Sequence, residues 1–567
     1  MKNNLKDQFK ALCDDFELKN AMAYNESQAR VSFIDNFWKL LGWRVSDTSQ
    51  VLVESTDKFA KRPDYRFMKG NKTAFFVEAK KPSENLKNPK HIYQTKLYCW
   101  NGNVPLAILT DFEEFRPFRS IGKPNINDYN KGIIKEFDIL YDAYPDMADL
   151  LLETFGREAV LAGSLDSLFK PTKIEIRDTV DKHFLATLSK WRSELAINIA
   201  KHNKFDNEYE LSEAVQRILD RLVFMRIMQD REVESTDYIK YIHSNTNSDP
   251  YQLFLSVCKE FAPKYNGLIF NPHPLSENLN VDTELFRKIA NELDFDESPY
   301  RFDEIPVEML GTIYEQFLGD EISFDAQGKL EIDQKPEVRK AGGVYYTPQY
   351  IVEYIVGNTI GKLLDKCKSP GDVAKLKILD PACGSGSFLL GAFDALIKWH
   401  EDYFTRNPGK ALEKQGRQTF LLAYVDDNNI LRLSVRMKSK ILQNNIFGVD
   451  IDKQATEVAQ MSLYIKALEG LEKESSQMTL GMKDALLPKL EDNIKCGNSL
   501  IGSDFITQDF FGFSVREKHK INPFDWEDAF PFIKETEGFD AVIGNPPWID
   551  IKGLDPILVD YYFKNYT

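Results

Sequence analysis

Residues Leu376–Leu390 read LKILDPACGSGSFLL, and this stretch decides the fold. A short apolar run of strand length meets a turn with glycine at 384 and 386, and a helix-forming segment, FLLGAFDALIKW, follows. Glycine lets the backbone approach a ligand closely, and the first turn of the next helix offers unpaired N–H groups to a carboxylate or phosphate. A dinucleotide fingerprint wants a third small residue at 389. Leu389 stands there and disfavours NAD or FAD.

Outward from this turn, the strand-like runs IFGVD and FDAVIGN alternate with helical stretches such as ATEVAQMSLYIKAL. That alternation predicts a doubly wound parallel sheet. Asp450 closes the second strand, where a carboxylate can take both hydroxyls of a ribose. Its distance from the glycines exceeds the usual ~20 residues, so an insertion over roughly 400–440 must be looped out. Asp452 reads as a helix N-cap. Upstream, GGVYYTPQYIVEYIV predicts a helix capped by Thr347, with Pro348 in its first position.

The full string Asp-Pro-Ala-Cys-Gly-Ser-Gly resembles the S-adenosylmethionine (SAM) motif of DNA amino-methyltransferases. The resemblance assigns Asp380, Pro381, Ala382, Cys383, Gly384 and Gly386 to the methionine end of SAM. It sets Tyr346 and Thr347 of the Thr-Pro segment against the donor, and Asn498 in NIKCGNSL near the donor's adenine or amino group.

FDAVIGNPPWID carries the acceptor chemistry. Two prolines remove N–H donors and stiffen the turn. The Asn545 side-chain oxygen and the Pro546 carbonyl can then accept both N–H bonds of an exocyclic amine, favouring a pyramidal nitrogen, with Pro547 holding the turn and Trp548 stacking on the base. Only a base extruded from the duplex could enter. The tetrapeptide resembles the Asn-Pro-Pro-aromatic signature of adenine-N6 methylases, in the motif order of the gamma class. No Pro-Cys pair of a cytosine-C5 enzyme is present.

Nearer the N-terminus, PDYRFM and TAFFVEAK are strand candidates joined at Gly70-Asn71. Glu78 and Lys80, two apart, face the same way. With Asp64 they offer carboxylates for Mg²⁺ and a cation to orient water against a phosphodiester. The set resembles the PD-(D/E)xK nuclease motif. NESQARVSFIDNFWKLLGWRV resembles the family's opening helix, which implies Glu26 as an added metal ligand; Gln94 and Tyr98 lie one helical turn apart, as in the restriction-enzyme branch, and AILTDFEEFRPF resembles a strand-turn-strand of such domains.

Composition frames these readings. The chain of 567 residues is too long for one core, and 43% hydrophobic with 28% charged residues suits a globular protein. No apolar run reaches the ~18 residues of a membrane span. Six scattered cysteines without a C-x-x-C pair read as reduced thiols of a cytoplasmic protein. Net charge is −15, yet Lys58–Lys96 is locally basic, compatible with phosphate binding.

The pieces together resemble type IIG restriction–modification enzymes. The implied organisation is α/β and multidomain: a restriction-endonuclease-like nuclease over 1–165, an all-α connector over 166–335, and over 336–567 a SAM-dependent Rossmann-like methylase lacking its last strands and target-recognition domain. The implied cofactors are SAM and Mg²⁺, and the partner is double-stranded DNA with a flipped adenine. An orphan methylase with a vestigial nuclease, or an inactive DNA-binding fragment, are the alternatives.

Overall fold

The computed structural model describes residues 2–53, 63–70, 72–168, 179–265, 269–324, 330–334, 347–415, 418–426, 430–471, 487–507, 521–536, 538–546 and 556–566. The chain is mixed α/β and forms two compact units. One comprises Met1–His183, Pro299–Ile305 and Asn428–Ile430; the other comprises Phe184–Ser298, Pro306–Asp427 and Leu431–Thr567.

The first unit is built on a six-stranded sheet. Its strands are β1 (Val51–Val53), β2 (Tyr65–Lys69), β3 (Lys72–Ala79), β4 (Leu106–Thr110), β5 (Glu114–Arg119) and β6 (Ile139–Leu140), in that spatial order. All neighbours are antiparallel except β3 and β4, which run parallel. The crossover between these two carries the helix Pro89–Asn101, as a parallel pair requires. Gly70, with φ of +64°, takes the tight bend between β2 and β3. An aromatic core locks the sheet to the N-terminal helices: the Phe67 and Phe75 rings stack at 4.4 Å, and Trp38 and Trp43 pack on both.

The second unit opens with helices, among them Val180–His202, Glu208–Asp230, Pro250–Tyr265, Thr283–Leu293 and Val307–Leu318. The region is not all helical. Asp320–Phe324 pairs antiparallel with Leu330–Gln334, because Ile322 and Ile332 fall opposite each other in a period-two pattern.

A parallel sheet follows, of β7 (Ile378–Asp380), β8 (Ile446–Asp450), β9 (Ile494–Cys496) and β10 (Ala541–Val542). Its spatial order is β9-β8-β7-β10. In such an order the connections reverse direction between β7 and β10, which opens a ligand crevice at the carboxyl ends of those strands. The long spacing before β8 is taken up by two antiparallel ribbons, Leu412–Gln415 with Gln418–Leu421 and Ala423–Val425 with Leu431–Leu433. The insertion is narrower than the sequence suggested. The helix Ser387–Arg406 continues past residue 400, burying His400, Tyr403 and Phe404.

One face of the sheet packs Leu379, Phe447 and Val449 on Phe524 and Phe530. On the helical face Gly448 leaves room for the glycine turn after β7: a Cβ there would meet Leu389 Cδ1 at 2.9 Å and the Cys383 sulfur at 3.0 Å. The Leu389 that excludes a dinucleotide fingerprint therefore fills the hollow over Gly448. Gly448→Val should overpack this contact and lower stability by about 1–3 kcal/mol. Urea denaturation of the two proteins measures the difference, and an unchanged midpoint would contradict the packing described here.

Candidate functional site

Backbone geometry shapes the turn after β7. Gly384 and Gly386 have φ of +52° and +92°, and Gly386 hands the chain to the helix Ser387–Arg406. A Cβ on Gly386 would lie 3.2 Å from that of Ala459, so the helix Lys453–Leu468 packs directly on the turn. The Cys383 N–H donates to the Val449 carbonyl at 3.0 Å, tying the turn to β8.

Three carboxylates converge on this turn. Asp380, at the tip of β7, is 1% exposed and accepts the Ala382 N–H at 3.1 Å. Asp450, at the tip of β8, accepts the Gly384 N–H at 2.8 Å and the Asp452 N–H at 2.9 Å. Glu315 accepts the Ser385 hydroxyl at 2.9 Å. Burial pushes the Asp380 carboxyl up to about 8, and Asp450 and Glu315 add to the rise against the Ala382 N–H. Burial likewise lifts Glu315 to about 7, with Asp450 adding and Ser385 opposing.

Beyond β10 the chain comes back onto the same turn. A Cβ on Gly544 would fall 2.6 Å from Asp380 Oδ1, so only glycine passes there. The next residue, Asn545, donates its amide to the Thr347 hydroxyl at 3.2 Å. Thr347 is thus not a helix cap. The helix spans Gln349–Asn358 with Pro348 at its N-cap, and the threonine hydroxyl is engaged by Asn545. Asp452 does cap its helix, accepting the Gln454 N–H at 2.8 Å.

Asn498 lies at the end of β9. Its side-chain oxygen accepts the Leu500 N–H at 3.0 Å, its own N–H donates to the Asn522 carbonyl, and Tyr562 bonds its side chain. Tyr346, Pro547 and Trp548 lie outside the described residues. Glu315 escaped the sequence reading because it sits in a helix, Val307–Leu318, without a recognisable motif. The available signal was a second acidic residue, beyond Glu308 in the first turn, within the largely apolar helix VEMLGTIYEQFL.

The first unit holds the second cluster. Asn25 and Gln28 form a reciprocal capping box that starts the helix bearing Glu26, and a wide π turn over Arg30–Ile34 follows. Lys80 Nζ lies 2.5 Å from Glu78 Oε1, and Asp64 accepts the Ala79 N–H at 2.7 Å. The sequence reading missed Arg30, which donates to Asp64 at 2.9 Å and rests on the Tyr65 ring at 4.8 Å. Burial raises Glu78 to about 8; Lys80 opposes this, while Asp64 and Glu26 add to it. Burial pulls Lys80 down, but Glu78, Asp64 and Glu26 outweigh it and hold the ammonium charged. Burial and Asp64 also raise Glu26, against Lys80 and Arg30.

Glu78 Oε2 is buried without a hydrogen-bond partner, a lone pair available to a cation. Among the described residues, however, no three His, Cys, Asp or Glu side chains are gathered as a metal-ligating group. Gln94 donates to the Tyr98 hydroxyl at 2.7 Å. The Lys58–Lys96 run is not one open basic face: Lys96 is buried against the Tyr129 and Lys131 carbonyls, and Arg66 pairs with Glu304 at 2.6 Å.

The second unit is, by fold and crevice, an α/β protein of the kind that binds its ligand at the switch of a parallel sheet. Residues 444–567 match the family described as Eco57I restriction-modification methylase. The chain is similar in sequence to curated proteins described as restriction enzyme and methyltransferase, and it spans about half the length of the first of them. It is 30% identical to the type II restriction enzyme and methyltransferase RM.Eco57I of Escherichia coli, over 99% of this chain and 55% of that protein. It is also 26% identical to the adenine-specific methyltransferase PglX of Streptomyces coelicolor, over 40% of this chain and 16% of that one. The type IIL restriction-modification enzyme MmeI in complex with DNA superposes with a TM-score of 0.41 at 16% identity, covering 67% of this chain and 45% of that chain, too loosely to carry an argument. Among the described residues no helix is long and apolar enough to cross a membrane.

The raised Asp380 has a pH signature. The folded state keeps its proton to about 8, while an unfolded chain releases it near pH ~4. Stability contributed by this group is complete below the lower value and is lost as pH rises through the upper one. Asp380→Asn, which keeps an oxygen for the Ala382 N–H, should melt above wild type at pH 8 and converge with it toward pH 4. Parallel melting curves across that range would contradict the assignment.

Proposed function

We propose that the chain is a restriction–modification enzyme: a SAM-dependent, site-specific adenine-N6 DNA methyltransferase joined to a Mg²⁺-dependent DNA endonuclease. The observation that carries the methylase half is the return of Gly544-Asn545 onto Asp380 and Thr347. It brings Asn545 beside the glycine turn, the proximity that transfer between two small ligands would require. The turn Pro381–Gly386, with Asp380 buried beneath it, would hold the methionine end of SAM, with the carboxylate toward the N–H groups opening the helix Ser387–Arg406, and Asp450 would take the ribose. SAM supplies the electrophilic methyl group. Asn545 and the Pro546 carbonyl would accept the amine hydrogens of an extruded adenine.

In the first unit, Asp64 and Glu78 would be the carboxylates that hold a hard divalent cation, with Glu26 as an added ligand, and Lys80 would orient water against a phosphodiester. The orphaned Glu78 oxygen suits that role. The ion would supply Lewis-acid stabilisation of the phosphodiester. A second reading, a methylase with a vestigial nuclease domain, is favoured by the Arg30–Asp64 pair, which already neutralises one of the carboxylates.

Labelled-methyl transfer and plasmid cleavage separate these readings. Asn545→Ala should lose ~100-fold or more in transfer to DNA while still binding SAM. Label reaching protein but never DNA would overturn the adenine assignment. Lys80→Ala should abolish cleavage that wild type performs with Mg²⁺ and loses with EDTA, leaving transfer intact. Absence of wild-type cleavage at any Mg²⁺ concentration would establish the vestigial reading.

A further inference from the structure

Three carboxylates surround the donor turn, and they are not equivalent. Asp380 is sealed: at 1% exposure, beneath Gly544 and bonded to Ala382, it has no face left for a ligand. Asp450 sits at the tip of β8, bonded to the N–H of Gly384 and of Asp452. Glu315 comes from a different element, the helix Val307–Leu318, and remains partly open to solvent. Its carboxyl carbon lies 4.0 Å from the position a Gly384 Cβ would occupy, directly over the turn. Two features hold it there. The buried Ser385 hydroxyl donates to Oε2, and Gly311, one turn earlier, brings the helix close, a Cβ there falling 3.6 Å from Ser385 Oγ.

We infer that Glu315 binds the α-ammonium group of the methyl donor, so that the helix Val307–Leu318 forms one wall of the donor pocket and Ser385 positions its carboxylate. The inference rests on the donor reading above and extends it to a residue outside the parallel sheet. The donor's amino-acid end carries one carboxylate and one ammonium. The carboxylate is matched by the N–H groups at the start of the helix Ser387–Arg406. The ammonium has only donors to offer, so it needs an acceptor carrying charge; Asp380 is buried, Asp450 stands at the tip of β8 where the donor reading puts the ribose, and Glu315 is the partly open carboxylate over Gly384. The groups acting on Glu315 are burial, Asp450 and the Ser385 hydroxyl. A ligand ammonium would supply the positive charge that this set lacks.

Equilibrium binding to the full chain tests this with three ligands: SAM, S-adenosylhomocysteine, which keeps the ammonium but not the sulfonium, and 5′-methylthioadenosine, which lacks the amino-acid end. Glu315→Gln should weaken the first two by ~10- to 100-fold, the worth of a charge-assisted hydrogen bond, and leave the third unchanged. Ser385→Ala should weaken the first two by a smaller factor, roughly 2- to 10-fold for a neutral bond that only positions the carboxylate. Retained methylthioadenosine binding also reports that the variants are folded. Equal binding of SAM by wild type and Glu315→Gln would overturn the inference and leave the donor reading standing. Loss for SAM but not for S-adenosylhomocysteine would move Glu315 to the sulfonium and overturn the ammonium assignment. Equal loss for all three ligands would assign it a structural role. No binding of any ligand by wild type would overturn the donor reading itself.

Discussion

The second unit depends on a carboxylate that cannot reach water. Asp380 ends the central strand β7, is 1% exposed, and accepts the backbone N–H of Ala382. Burying a carboxylate favours its neutral form, which is why its proton is held to about 8. The neighbours are arranged around that constraint. Gly544 lacks a side chain because Asp380 fills the space, β10 pairs with β7 in the register that delivers Gly544 there, and Asn545 then faces Thr347. A larger residue at 544 would displace Asn545, so the position of Asn545 is tied to the burial of a residue 165 positions earlier.

The motifs made the strand tips legible. Gly384, Gly386, Asp450 and Asn545 stand where short apolar strands meet glycine, aspartate or proline, and backbone geometry at such junctions is local. The shared face of Glu78 and Lys80 was readable for the same reason, since it depends on residues within one pleat. What escaped is non-local. Arg30 pairs with Asp64 across 34 positions and Glu315 bonds Ser385 across 70, and neither pattern declares its partner in sequence. Thr347 was misread because a good capping residue can serve another bond, and here Pro348 takes the cap. The ribbon at 320–334 was absorbed into the helical region although its alternation of apolar residues was present in the sequence.

The two clusters solve the same electrostatic problem in opposite ways. In the first unit, Glu26, Asp64 and Glu78 are met by Arg30 and Lys80 from within the protein, so most of the negative charge is already compensated. In the second, the groups acting on Asp380 and Glu315 are other carboxylates, a backbone N–H and a hydroxyl. Converging carboxylates in a desolvated crevice raise one another's proton affinity, and such a site is stabilised by a ligand that brings positive charge. An anionic nucleotide would add repulsion at the same place. A nucleoside bearing a sulfonium and an ammonium against one carboxylate relieves it. The charge of the site thus disfavours an anionic dinucleotide on a ground separate from Leu389.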